Sequence, residues 1–357
     1  MTTQQPDRAR AEAFGERMLD ALNGASVTLM TSIGYRTGLL DTMAELTPST
    51  SQEIANAAGL NERYVREWLG AMVTGRVVEY DSQQRTYSLP AEHAASLTRA
   101  AGPDNIAAIT PYFPLMGSVE SEVVECFRHG GGVPYSAYQG LQEQLDNESR
   151  PVFDATLIDK TLPVVPGLVE RLEAGIDAAD VGCGSGHAIN LMAQAFPRSQ
   201  FTGYDFSEDG VQRGKQEAAA MGLRNARFEA MDVADLHAPD SFDLITAFDT
   251  IHDQAQPRKV LREIAEALRP GGTFLMVDIA ASSNVEDNID HPLGPTLYAF
   301  STLHCMTVSL ALDGEGLGTA WGEQKARQLL AEAGFDRVGV RQVEGDIFNN
   351  YYVATAS

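Results

Sequence analysis

The stretch Asp177-Ala-Ala-Asp-Val-Gly-Cys-Gly-Ser-Gly-His-Ala-Ile189 decides how the rest of the chain is read. A short run ending Ala-Asp-Val leads into glycines at Gly182, Gly184 and Gly186, and apolar residues at helical spacing follow from Asn190 to Phe196. That order is strand, tight turn, helix. Glycine accepts positive φ and lets a ligand lie against bare backbone. The helix start behind it offers N–H groups that lack partners. A dinucleotide loop follows the same plan but reads G-x-G-x-x-G. Counted from Gly182, its third glycine falls on His187, so the pyrophosphate reading fails by one position. Cys183 fits the loop as a small side chain and is not read as a nucleophile.

Downstream, strand and helix alternate as in a doubly wound α/β sheet. A strand over Ser199–Tyr204 ends at Asp205, about twenty residues past the loop, where an acid accepts hydrogen bonds from both hydroxyls of a ribose. A helix follows from Gly210 to Met221. A strand over Ala226–Ala230 then ends in Met231-Asp232-Val233. Phe242–Phe248 opens into Asp249-Thr-Ile-His-Asp253, a helix covers Val260 to Leu268, and Arg269-Pro-Gly-Gly leads a strand to Asp278. Phe335–Val343 and Asn350–Thr355 read as an antiparallel pair at the sheet edge.

The Asp-Val-Gly-Cys-Gly-Ser-Gly loop, the acids at Asp205 and Asp232 and the Leu-Arg-Pro-Gly-Gly turn closely resemble class I S-adenosylmethionine-dependent methyltransferases over about residues 150 to 357. With its front, its Gly314–Gly322 stretch and its Phe-Asn-Asn-Tyr-Tyr352 ending, the whole chain resembles actinobacterial methyltransferases that carry an N-terminal winged helix and are similar to small-molecule O-methyltransferases. The resemblance implies a Rossmann-like sheet with an antiparallel last strand behind a mainly α winged-helix domain. It implies S-adenosylmethionine as cofactor and S-adenosylhomocysteine as product. Asp180, Gly182, Gly184 and Gly186 then belong to the cofactor's amino-acid end, and Asp205 to its ribose. Asp232 and Val233 belong to adenine, and Phe248 faces the adenine or the sulfonium; Phe206 joins this cofactor-binding set. An acid in the place of Asp232 has no counterpart among NAD enzymes. His252-Asp253 aligns with the His-Asp pair of plant-type O-methyltransferases, whose histidine is the base, although Gln254 stands where that family has tryptophan. The catalytic candidates are therefore His252 and Asp253, with a hydroxyl as the expected acceptor. A histidine that merely hydrogen-bonds across the pocket is the other reading.

Residues 7 to 46 read as helical with a break at Asn23-Gly24. Two helices follow, the first capped by Ser49 or Ser51 and ended by Gly59, the second capped by Asn61. Val77–Tyr80 and Thr86–Leu89 form a hairpin, completing a winged helix. Between Ser49 and Ala100 stand five arginines, no lysine and six carboxylates, a poor balance for a DNA reader. The chain is thus divided into a winged-helix, dimerising domain (1–100), a helical connector and pocket lid (101–165) and a cofactor-binding domain (166–357). In the connector, Val119–Phe127 and Phe153–Leu172 read as helices, the second capping the cofactor. Gly130-Gly-Gly-Val-Pro-Tyr135, with Tyr138, reads as a mobile cover or as packing. The insertion Ser282–Gly318 offers Tyr298, His304 and Met306 to an acceptor pocket, or to the core.

Composition bounds these readings. A chain of 357 residues suggests about two domains, and 44% hydrophobic with 21% charged residues is ordinary for a globular protein. A net charge of −23 opposes attraction to nucleic acid or anionic membrane. Three scattered cysteines build no disulfide framework, the N-terminus lacks the apolar core of a signal peptide, and no apolar run reaches membrane-span length. The expectation is a cytoplasmic homodimer, paired through its N-terminal domain, acting on a small molecule with neither nucleic acid nor membrane as partner. No ligand spacing suggests a metal. The alternative is a winged-helix DNA-binding regulator that senses S-adenosylmethionine.

Overall fold

The computed structural model describes residues 7–356; the start of the chain, read above as lacking a signal-peptide core, falls largely outside them. The chain divides into two compact units, one ending at Pro114 and the other beginning at Leu115.

In the first unit α1 (Arg8–Arg36) runs straight through Asn23-Gly24 and stops at Thr37-Gly38, where Gly38 takes φ 71°. The expected break at Asn23-Gly24 does not form, because a glycine inside a helix costs only about 1 kcal/mol. Met30 and Tyr35, packed on the unit's core, hold the later turns. After α2 (Leu39–Glu45), the cap of α3 (Ser51–Ala58) is Thr50, not Ser49 or Ser51. Thr50 Oγ1 accepts from Glu53 N at 3.3 Å and Glu53 accepts from Thr50 N at 2.8 Å, a closed capping box. Ser51 instead donates to Glu62 and Ser49 to the Thr47 carbonyl. Gly59 closes α3 at φ 66°, and Asn61 caps α4 (Glu62–Thr74). The strands β1 (Glu79–Asp81) and β2 (Thr86–Ser88) pair antiparallel, and α5 (Ala91–Leu97) follows. Leu40, Ile54, Leu69 and Met72 fill the core, and Trp68 donates its indole N–H to Met30 O at 2.7 Å.

The helix α6 (Tyr112–Gly117) spans the division, and α7 (Glu120–His129) follows. The helix expected over 153–172 is two helices: α8 (Leu141–Thr156), ending in a π-helical turn at Leu157–Thr161, and α9 (Leu168–Ala174). Pro163, Pro166 and Gly167, at φ 74°, interrupt the run. The sheet takes β3 (Asp177–Val181), β4 (Gln200–Asp205), β5 (Ala226–Ala230), β6 (Phe242–Phe248), β7 (Leu268–Ile279), β8 (Arg337–Arg341) and β9 (Asn349–Thr355). Their order is β5-β4-β3-β6-β7-β9-β8. The strands β3 to β7 are parallel, and β9 runs antiparallel to both β7 and β8.

Alternation along the strands feeds two cores. Leu244 and Leu275 join Ile189, Met192 and Phe201 on one face, while Ile245 and Phe274 join Leu261 and Leu329 on the other. Helices α10 (His187–Ala195), α11 (Glu208–Ala220), α12 (Pro257–Ala267) and α15 (Gly322–Glu332) complete the layers. The insertion after β7 folds as α13 (Gly294–Phe300), a second π-helical turn at Ser301–Cys305, and α14 (Met306–Leu310). Strand order reverses between β3 and β6, so ligands are expected beyond the carboxyl ends of those strands. Among the described residues no helix is long and apolar enough to cross a membrane.

Candidate active site

The glycine loop leaves β3 with φ of 70°, 54° and 74° at Gly182, Gly184 and Gly186. The N–H groups of Gly182 and Cys183 both donate to Tyr204 O, at 2.8 and 3.0 Å. A Cβ at Gly182 would stand 2.0 Å from Thr250 Oγ1, and one at Gly186 would stand 2.3 Å from Phe228. Steric room and dihedral angle thus both require glycine here. Asp205, at the tip of β4, accepts from Gly184 N and from Ser207 N, each at 2.8 Å, so it fixes the loop before any ligand arrives. Burial pushes its carboxyl up, and those two N–H groups offset this only in part.

Asp180 is buried and tied to the next strand, accepting from Thr246 Oγ1 at 2.7 Å. Burial raises its carboxyl, the Thr246 bond opposes this, and Asp205 adds to it, giving about 7. Asp232 is exposed and accepts from Ala234 N at 2.9 Å, capping the turn that holds buried Val233. Phe206 is exposed and stands edge-on to Tyr135 at 5.4 Å, while Phe248 meets Phe153 of α8 at 5.2 Å.

His252 is buried, and its hydrogen-bond partner is not the adjacent Asp253. Its Nδ1 lies 2.8 Å from Asp278 Oδ1, at the end of β7. Asp278 Oδ1 also accepts from Trp321 Nε1 at 3.0 Å and from Ile279 N at 2.8 Å, while its Oδ2 is buried without a partner. Sequence reasoning passed over Asp278 and Trp321. The available signal was an acid ending a parallel strand at the ligand-binding edge, as at Asp205. Burial alone would lower the pKa of His252, but the charges of Asp278 and Cys305 outweigh it and hold the imidazole well above its usual range. Asp253 is raised to about 6, by burial first, with His252 opposing. Asp249, with φ 49°, presents its side chain at the cleft surface; the protein around it and the Asp278 charge hold its carboxyl well above the normal range. Asp249, His252 and Asp278 bring one potential ligand atom each within 4.8 Å of one another, a grouping invisible in sequence spacing. The contact between His252 and Asp278 already commits two of these residues to each other.

One face of α8 fastens onto the loop. Asp146 accepts from Ser185 Oγ of the glycine loop, and Arg150 bonds both Asp146 and Glu217 of α11. His187, the first residue of α10, sits between Asp154 and Glu217, at 2.9 Å from each. This helix therefore begins earlier than the sequence suggested, and it is held by residues one turn apart. Tyr135 and Tyr138 pack edge-on against His304 from the insertion, at 5.5 and 4.9 Å. Met306 follows His304 and Cys305 at the start of α14, and Tyr298 accepts from Asn288 Nδ2 at 3.0 Å. A surface cavity of about 450 Å³ opens at the opposite, amino edge of the sheet, where Arg269 pairs with Asp177 and Asp243 at 2.8 and 2.6 Å. It holds none of the loop or carboxyl-edge residues.

Residues 172–334 match the model of a methyltransferase domain, and residues 25–99 that of an Rv2258c-like winged HTH domain. The chain is 32% identical over 161 residues to 27-O-demethylrifamycin SV methyltransferase of Amycolatopsis mediterranei, covering 41% of this chain and 57% of that protein. It is 34% identical over 100 residues to a fatty-acid O-methyltransferase of Mycolicibacterium smegmatis, covering 28% and 35%. It thus spans about half or less of the length of these relatives. In fold it is similar to human N-acetylserotonin methyltransferase solved with its cofactor SAM, with a TM-score of 0.70, 17% identity and 100% of both chains covered. Mitomycin 7-O-methyltransferase superposes with a TM-score of 0.69 and 18% identity over 98% of this chain and 100% of that one.

Proposed function

We propose that this protein, whose residues 172–334 match a methyltransferase-domain model and residues 25–99 an Rv2258c-like winged HTH model, methylates a hydroxyl on a small molecule, using S-adenosylmethionine and releasing S-adenosylhomocysteine. One observation carries the reading. Asp180, Asp205, Asp249, Asp253 and Asp278 gather at the carboxyl edge, and no described ion pair joins any of them to arginine or lysine. Carboxylates of this kind favour a ligand bearing positive charge and repel a pyrophosphate. The proposed cofactor carries an ammonium group and a sulfonium whose methyl group is already activated for transfer.

In this reading the glycine loop and Asp180 serve the methionine end, Asp205 and Phe206 the ribose, Asp232 and Val233 the adenine ring, and Phe248 its face or the sulfonium. His252 is the proposed base, aimed by Asp278 and Trp321, with Asp253 as its charged neighbour at the cleft. Alone, His252 holds its proton too firmly to act. A cation bound beside it disfavours the imidazolium and brings the histidine into the range where it accepts a hydroxyl proton. As the oxygen–methyl bond forms and the carbon–sulfur bond breaks, that proton passes to the imidazole.

A DNA-binding role has less support. On α4, Arg63 pairs with Glu67 and Arg66 with Glu62, so the would-be recognition helix neutralises its own charge. Phe14, Met18, Leu22, Leu29 and Ile33 lie exposed along α1, which supports a second copy of the chain as partner of the first unit. Free cysteines throughout support a cytoplasmic location. Calorimetry with S-adenosylmethionine and with NAD, followed by detection of S-adenosylhomocysteine release over an acceptor panel, tests the function. Tight NAD binding, or no binding of S-adenosylmethionine, contradicts it.

A further inference from the structure

The stretch Gly314-Glu-Gly-Leu-Gly-Thr-Ala-Trp321 joins α14 to α15 as neither helix nor strand. It lies against a second irregular stretch, the segment from Asp249 to Gln256 that carries His252 out of β6 and into α12. Such a segment is a poor mount for a base, because a catalytic group must be held to within about 0.5 Å. Its own backbone contributes one long bond, from Gln254 N to Ile251 O at 3.4 Å. The remaining hold comes from outside. His252 O accepts from Gly318 N, and Ala255 O from Glu315 N, each at 3.0 Å. Gln254 O accepts from Ser309 Oγ at 2.9 Å, and that hydroxyl in turn accepts from Gly316 N at 3.1 Å.

The same strap reaches the acid partner of His252. Trp321 N donates back to Gly318 O at 3.1 Å, and the indole N–H of Trp321 donates to Asp278 Oδ1. Between them, Thr319 Oγ1 donates to Cys305 Sγ at 3.1 Å. Two residues of one tight turn thus hold the backbone of His252 and the carboxylate that His252 bonds. Glycine makes the close approach possible. A Cβ at Gly314 would stand 2.6 Å from Ala255 Cα. Gly318 takes φ 73°, and a Cβ there would stand 2.1 Å from Ser301 Oγ and 3.2 Å from Met306 Cβ. A side chain at this position would push the strap off the His252 carbonyl.

We propose that Gly318 and Trp321 are positioning residues, through which the 314–321 strap holds His252 in register with Asp278. Their meaning for catalysis rests on the base role proposed for His252; the positioning itself does not. A strap needed for packing alone would cost stability when damaged but leave the pair undisturbed.

Proton NMR of the full-length protein reads the pair directly and needs no methyl acceptor. The Nδ1 proton of His252, buried and held by Asp278, should give a resonance far downfield, identified by its absence in His252→Gln. Gly318→Ala should broaden or abolish that resonance. Gly318→Ala combined with Ser301→Ala, which removes the colliding hydroxyl, should bring it back. Trp321→Phe keeps an apolar ring and should move the resonance, because Asp278 Oδ1 loses one of its three donors. Gly175→Ala serves as the control: with φ 107° and a Cβ 3.0 Å from Arg198 O, it strains the amino edge instead. It should lower thermal stability and keep the resonance. Calorimetry with S-adenosylmethionine on the wild type is run alongside. Failure there would sink the methyltransferase reading while the NMR result still judges the strap. An unchanged resonance in Trp321→Phe, or in Gly318→Ala where that variant folds, would overturn the assignment. So would its loss in Gly175→Ala or its absence from the wild type.

Discussion

At the amino edge of the sheet Asp177 and Asp243 are both held by Arg269. At the carboxyl edge Asp180 leans on a threonine, Asp205 on two backbone N–H groups and Asp278 on an imidazole and an indole. The same residue type, at the two ends of β3 and of the sheet it belongs to, is neutralised by a guanidinium at one end and left without one at the other. A charge that serves only architecture can be paired on the spot. Acids kept buried and unpaired raise the free energy of the empty protein, and they persist where a ligand brings the missing charge.

Removing one acid from each edge should break that symmetry most sharply. Asp278→Ala strips His252 and Trp321 of their common acceptor and should lower turnover about 10²–10⁴-fold, measured as S-adenosylhomocysteine release at saturating substrate. Asp243→Ala, at the other edge, should leave turnover within about twofold and cost about 1 kcal/mol of stability in a denaturant melt, since Arg269 is partly solvated and keeps Asp177. Equal losses from the two would erase the distinction.

Next in size is Asp205→Ala. It leaves the N–H groups of Gly184 and Ser207 without their charged acceptor and removes the proposed ribose partner. Affinity for S-adenosylmethionine should fall about tenfold or more, from a loss of about 1.5–3 kcal/mol, read by calorimetry.

The free protein's stability should also depend on pH in a set direction. Asp180 and Asp253 are raised to about 7 and 6 in the fold, so it holds their protons more tightly than the unfolded chain does. Their contribution is complete below about pH 4 and is lost as pH rises through 6 and 7. His252, raised as well, loses its share only at higher pH, in the same direction. Melting of the ligand-free protein should therefore shift down by several degrees between pH 5 and pH 8, equivalent to roughly 2–4 kcal/mol. A rise over that range would contradict the account.

The smallest effect is expected at the clasp. Arg150→Ala frees Glu217 and Asp146 but leaves His187 between Asp154 and Glu217. Cofactor dissociation in stopped flow should quicken about two- to tenfold, because opening of the cover, not chemistry, is what this residue restrains.

What the sequence revealed follows from range. The glycine loop, the alternation of strand and helix and the acids ending β4 and β5 are local patterns, and they were legible. So was the winged helix, except where weak propensities decide. Asn23-Gly24 does not break a helix held by packing, and Thr50 outcompetes its serine neighbours because Glu53 stands where a capping box needs it. The partners of His252 were hidden because they are distant in sequence: Asp278 lies 26 residues away, and Trp321 lies 43 beyond that. Adjacency suggested Asp253, yet the bond goes to an acid on the next strand of the sheet. The convergence of His304 and Cys305 on the same interior depends on a π-helical turn, which no periodicity announces.

The central claim is that the carboxyl edge is built for a cation. Calorimetric titration with S-adenosylmethionine and with S-adenosylhomocysteine, from pH 5.5 to pH 8, isolates the sulfonium charge. As the raised acids ionise, the ratio of the two affinities should move about tenfold in favour of S-adenosylmethionine. Binding of the sulfonium form should release protons, seen as an enthalpy that changes with the buffer. A ratio that stays flat across this range, with no proton release, would contradict the account.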